Sequence, residues 1–147
     1  MGTAPLYDTD RYAAMDRWHT VQCAAHLELL DDVARMDRAE EWTFDGADSM
    51  AHWLVNRYGL SHRTAQDWVR VAHAIEELPA LRATYRAGRL SWDQLRAVAR
   101  IATPATDEEL ATEAPSLTVR QLNKRARELT LHDVQEVHRD RSFTWQF

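Results

Sequence analysis

The chain has 147 residues, 45% of them hydrophobic and 28% charged, which is enough apolar material for a single core. No apolar run approaches the ~20 residues of a membrane span, so no membrane partner is expected. The formal net charge of −5 argues against a uniformly basic nucleic-acid binder. The single cysteine, Cys23, excludes an internal disulfide and any zinc site that needs two or more thiolates. Met1–Asp10 has no basic start and no apolar stretch, so it does not read as a signal peptide, and a reducing, cytoplasmic setting is the expectation.

Charge is unevenly distributed. Met1–Asn56 holds eleven acids against four arginines, whereas Arg57–Arg100 holds eight arginines against four acids. The positive charge is almost all arginine, with Lys124 the one lysine. A guanidinium donates two parallel hydrogen bonds, which suits phosphate and guanine.

Four glycines and four prolines favour long helices over a strand-rich fold. Arg11–Arg38 reads as one amphipathic helix, with Trp18, Val21, Ala25, Leu29, Val33 and Met36 as its inward stripe. A break follows at Glu41–Gly46. The second helix runs from about Asp48 to Tyr58, capped by Asp48 or Ser49 and closed by Gly59; Met50, Trp53, Leu54 and Tyr58 face inward. Ser61 caps a third helix, His62–Leu78, with Ala65, Trp68, Val69, Ala72 and Ile75 inward, and Trp53 is expected to meet Trp68 in the core. Further helices are predicted over Ala80–Ala87, Trp92–Ala102, Asp107–Ala114 and from Val119 to Leu129 or beyond. The capping-box pairs Ser91/Gln94 and Thr118/Gln121 start two of them. Asp107–Glu109 is expected to meet the macrodipole of its own helix.

The tail alternates Phe143, Trp145 and Phe147 with Thr144 and Gln146, a strand pattern. The fold class is therefore an all-α, multi-helix bundle with a central helix-turn-helix at about 48–78 and a short β-like tail. Residues 1–140 form the helical domain, and 141–147 begin a truncated β-containing region.

No catalytic constellation emerges. His-Glu-x-x-His, Gly-rich phosphate loops and Gly-x-Ser-x-Gly are all missing from the sequence. His19 and His26 share a helix face, but lone helical histidines are far more often solvated or hydrogen-bonded than metal ligands, so no metal and no cofactor are expected. The stronger feature is the pair of helices around Gly59-Leu60-Ser61, a helix-turn-helix layout. In that layout the second helix enters the major groove by its N-terminal residues. Its outward face carries Arg63, Gln66, Arg70 and His73. Ser61 and the free amides of the first turn suit a phosphate. Asp67, four residues after Arg63, is placed to pair with it and to repel phosphate. A second basic stripe, Arg120, Lys124 and Arg127, lies on the last helix.

The run Leu60-Ser61-His62-Arg63-Thr64-Ala65, then Glu76-Glu77-Leu78-Pro79, then Ala87-Gly88-Arg89-Leu90-Ser91-Trp92-Asp93-Gln94-Leu95-Arg96-Ala97 resembles the actinobacterial DUF222 family, also called the 13E12 repeat family. Leu117-Thr118-Val119-Arg120-Gln121-Leu122 and Arg141-Ser142-Phe143-Thr144-Trp145 are similar to it as well. Members typically carry an HNH endonuclease module after this region. The resemblance therefore implies DNA cleavage or the targeting of a nuclease, with no catalytic residue to carry onto this chain. The blocks at Ser61 and Ser91 resemble, more distantly, the DNA-binding domain of ParB-like partition proteins.

The expectation is a non-enzymatic domain that contacts double-stranded DNA or positions a nuclease. Ser61, Arg63, Gln66, Arg70 and His73 face DNA, and Arg57, Arg120 and Lys124 add backbone contacts. The rival is a protein-interaction or homo-oligomerisation module using the long acidic first helix and the tryptophans. An exposed apolar stripe on that helix favours the rival, and a basic groove around Arg63 and Arg70 favours DNA.

Overall fold

The computed structural model describes residues 9–143, with side chains through residue 139. The described residues fold into seven α-helices: α1 Thr9–Arg38, α2 Met50–Tyr58, α3 His62–Ala74, α4 Pro79–Arg86, α5 Trp92–Val98, α6 Asp107–Glu113 and α7 Val119–Phe143. Short 3₁₀ turns at Glu41–Asp45, Ile75–Glu77 and Ala114–Ser116 join them, and no strand occurs among the described residues. Arg141–Phe143, read from alternation as the start of a strand, continue α7 as helix. A lone strand has no partner for its backbone groups, whereas each residue added to a helix closes a hydrogen bond. Thr144–Phe147 lie outside the described residues.

Local chemistry sets most of the boundaries. The Ser49 hydroxyl accepts from the His52 amide at 3.0 Å and starts α2, which closes on Gly59 at φ 69°. The Ser61 hydroxyl accepts from the Thr64 amide at 3.1 Å and starts α3. At Ser91 the capping box is complete: the Gln94 amide donates to the hydroxyl, and the Ser91 amide donates to the Gln94 side chain. The third helix stops earlier than periodicity suggests. Pro79 forces Leu78 out of helical geometry, to φ −122° and ψ 68°, and the chain tightens into the 3₁₀ turn beforehand.

Helix α4 has no cap of its own. Its orphan amides at Ala80 and Leu81 donate instead to the two carboxylate oxygens of Asp107, at 2.7 and 2.9 Å. Asp107 opens α6 yet spends its charge on α4, and it is 2% exposed. One buried carboxylate thus satisfies a helix end and ties α4 to α6.

The core gathers Leu27 and Leu30 of α1, Leu54 of α2, Val71 of α3, Leu81 and Tyr85 of α4, Leu95 and Val98 of α5, and Leu122 of α7. Helix α1 carries two apolar stripes, and the inward one departs from the stripe expected from periodicity over the first half of the helix, rejoining it at Val33 and Met36. Cys23, Leu27, Leu30, Val33 and Ala34 are buried, whereas Trp18, at 72% exposure, Val21 and Ala25 face solvent. Close approach explains the choice. Gly88, at φ 76°, lies so near Thr20 that a Cβ there would sit 2.5 Å from the Thr20 Oγ1. The small Cys23 continues that contact, donating Sγ–H to the Leu90 carbonyl at 3.6 Å.

Trp53 and Trp68 are also half-buried rather than central. Trp53 donates its Nε1–H to Asp45 at 2.7 Å and meets Tyr58 edge-on, while Trp68 packs against His26. Each indole sits at the core margin; that position lets the Trp53 N–H reach a polar partner. Small residues, Ala51 and Ala65 among them, fill the core where α2 and α3 pack.

Asp107→Ala strips both amides of their acceptor, so it should lower stability by about 2–3 kcal/mol in urea unfolding. Glu108→Ala, on the exposed side of the same turn, should change it by less than ~0.5 kcal/mol.

Candidate nucleic-acid interface

Asp67 is the one buried acid of α3. Its carboxylate lies 3.6 Å from Arg70 Nη2 and 3.4 Å from Arg96 Nη1, linking α3 to α5. Arg70 also donates to the Arg96 carbonyl at 3.3 Å. The expected Arg63–Asp67 pair is absent, because the carboxylate turns inward to the other two arginines.

Beside this clamp, α3, α5 and α7 enclose a groove of about 400 Å³. Arg63, Arg96, Arg100 and Arg127 line it, with Asn123 and Thr130, and no carboxylate does. The side chains of Arg63, Arg100 and Arg127 make no ion pair or hydrogen bond among the described residues, whereas the Arg96 guanidinium is shared with Asp67 at 3.4 Å and Asp93 at 3.8 Å. Burial first, then the like charges of Arg100 and Arg96, pull the Arg70 guanidinium below its usual pKa. Cations held this close favour an anion between them.

The expected recognition face divides. Positions 63 and 70 lie about 20° apart around a helix, but 73 lies about 80° from 63. Arg63 and Arg70 accordingly face α5 and α7, whereas His73 turns to α1, with Nε2 2.6 Å from Asp37 and Nδ1 3.4 Å from Glu76. His73 therefore belongs to an acidic, α1-side network. Gln66 is exposed and bonded to His62 at 3.0 Å. Ser61 is exposed and occupied as the cap of α3. Arg57 borders a different cleft, with Asp45, Trp53 and Asn56. Arg120 and Lys124 are exposed on α7, and Arg120 lies about 20° from Arg127 around that helix.

Arg96 and Arg100 were not singled out by sequence reasoning. Their signal was present as an i, i+4 arginine pair within the arginine-rich middle of the chain. The acids of α1 lie away from the groove. Asp31 takes both Arg82 guanidinium nitrogens at 2.7 Å, Glu28 faces Arg86 at 3.7 Å, and Asp32 pairs with Arg35. That Arg82 hydrogen bond holds the Asp31 carboxyl below the usual carboxylate range.

The family model for DUF222, a domain of unknown function, matches residues 20–141, which include every groove residue. The chain belongs to the DUF222 family. It matches no curated protein and no solved structure. In this DUF222 chain, no helix among the described residues is long and apolar enough to cross a membrane.

Its histidines take separate roles. His19 contacts the Cys23 sulfur at 3.6 Å, while His26 Nδ1 shares a 2.7 Å hydrogen bond with the Tyr85 hydroxyl. Trp68 and Trp92 stand edge-on to the His26 ring, with centroids 4.8 and 4.9 Å away, and its Nε2 is buried without a nitrogen or oxygen partner. His132, Asp133 and Glu136 bring their ligand atoms within 4.8 Å on one exposed turn of α7. Such acidic turns are common on solvated helices.

Burial holds His26 neutral, with its pKa lowered to about 4 from 6.5. The unfolded chain therefore binds the extra proton first as pH falls. Stability from this site is complete above about 6.5 and is lost towards about 4, by roughly 2 kcal/mol after discounting for solvent. Urea midpoints of the wild type and His26→Gln, measured across that range, should converge as pH falls.

Proposed function

We propose that this chain contacts DNA through the arginine groove between α3, α5 and α7, gripping the phosphate backbone. In the setting the family resemblance implies, that grip would position an HNH nuclease module. The observation that carries the reading is the convergence of Arg63, Arg96, Arg100 and Arg127 on one groove without a lining carboxylate, backed by Arg70. Four guanidiniums from three helices suit a row of phosphates better than a single base edge. The chain's net negative charge is compatible with this, because α1 acids are neutralised in place by Arg82, Arg86 and Arg35.

The α2–turn–α3 pair has a helix-turn-helix layout, and the exposed first turn of α3 supports a DNA-facing role. Yet the Arg63/Arg70 face of α3 is flanked by α5 and α7. Insertion of that face into a major groove is thereby obstructed, and backbone binding is the reading it favours. One observation supports the protein-interaction alternative: Met15, Trp18 and Val21 form an exposed apolar strip on α1.

Titration of a random duplex against salt tests the proposal. Binding should weaken with a log–log slope of about −3 to −4, since each neutralised phosphate contributes ~0.9. Arg63→Ala, Arg100→Ala and Arg127→Ala should each flatten that slope by about 1, uniformly across sequences. Binding that ignores all three substitutions, or a chain that binds no duplex, would refute it. Sedimentation of Trp18→Asp checks the alternative, which requires a concentration-dependent dimer that this substitution dissociates.

A further inference from the structure

A second cavity, of about 370 Å³, opens on the other side of the α3–α5 seam. It lies at the small end of ligand-pocket volumes. Its wall is aromatic: Trp68 of α3, Trp92 of α5, Tyr85 of α4 and His26 of α1, with Thr64 and Cys23 filling between them. Gln22 and His19 stand at its exposed rim. We propose that this pocket receives one unpaired nucleobase from a DNA strand whose phosphates lie in the neighbouring arginine groove, an inference that rests on the DNA reading above.

Three observations choose that occupant. The first is charge. No carboxylate lines the pocket to hold a cation, and no arginine or lysine lines it to hold an anion. Its His26 is half-buried, with Nδ1 hydrogen-bonded to the Tyr85 hydroxyl and Nε2 enclosed without a nitrogen or oxygen partner, so the ring presents no exposed charge to a ligand. A neutral ligand fits. The second is shape and chemistry. Two indoles line the cavity, their planes at 66° and 88° to the central imidazole, and every base offers a π-face for stacking on an aromatic ring. The Gln22 amide at the rim both donates and accepts, as an exposed base edge requires.

Continuity with the groove is the third. Trp92 and Arg96 lie four residues apart on α5, stacked on one helix face, and Thr64 follows Arg63 on α3. Four helical residues rise about 6 Å, and phosphates of one strand rise about 3.4 Å each along the axis of a stacked duplex and lie farther apart where the strand is unstacked. A strand seated on Arg96 therefore passes the pocket mouth within at most about two nucleotides. Taking a base out of the stack costs least where it is already unpaired, so the pocket selects bulged, flipped or single-stranded sites.

The test uses three duplexes: fully paired, with one bulged adenine, and with an abasic residue at the same bulge. The full chain should bind the bulged adenine about tenfold tighter than the abasic bulge, in line with base–aromatic stacking. Its tryptophan emission should be quenched by the adenine bulge and much less by the abasic one. Trp92→Ala should erase the tenfold difference, and Arg100→Ala should weaken all three duplexes alike. The quenching comparison needs no variant, so it stands even where Trp92→Ala fails to fold. Equal affinity and equal quenching for adenine and abasic bulges, with arginine-dependent binding of paired DNA intact, would overturn the base pocket alone. That result would leave the cavity to an aromatic side chain of a protein partner. Failure of all three duplexes to bind would overturn both the pocket and the DNA reading.

Discussion

A buried carboxylate between two arginines organises the cationic face of this DUF222 chain. Asp67 would be costly to bury alone, and its contacts to Arg70 and Arg96 make its burial tolerable. The clamp draws α3 and α5 together and crowds Arg70 against Arg96 and Arg100. Arg63, Arg100 and Arg127 complete the rim without internal acids to quench them. The arrangement separates two uses of the same residue type. Arg70 is spent inside the protein, Arg96 is shared between Asp67 and the groove, and the side chains of Arg63, Arg100 and Arg127 carry no internal partner among the described residues.

The same device appears elsewhere with a different outcome. Asp107 is buried on two amides of α4 and pairs with no arginine among the described residues. Asp31 is spent on Arg82, and Asp37 on His73. Each internal pairing neutralises an acid that would otherwise offset the positive charge of the groove. This is why an acidic chain can present a locally cationic groove: charge is sorted by contact rather than by composition.

Helix positions were largely legible in the sequence because their signals are local. Ser49, Ser61, Ser91 and Thr118 bond to amides three residues away, and Gly59 closes its helix through its own backbone geometry. What was not legible depended on tertiary contact. The α1 stripe built on Trp18 and Val21 satisfies helical periodicity as well as the buried one built on Cys23, Leu27 and Leu30. Packing against α3 and α4, including the close approach of Gly88 to Thr20, decides between them. Arg63 and Arg70 were visible as a cationic pair, but the partners that turn them into a groove come from positions 96, 100 and 127. His73 shares their helix and not their face, a drift too small to matter over seven residues and large enough to matter over ten.

Arginine side-chain Nε–Hε resonances, followed by NMR as a short duplex is added, test the central claim most directly. The account predicts that Arg63, Arg100 and Arg127 shift together and saturate at one affinity, while Arg82 and Arg35, spent on Asp31 and Asp32, stay still. Arg63, Arg100 and Arg127 unmoved, or shifting no more than Arg82 and Arg35 as the duplex is added, would contradict it.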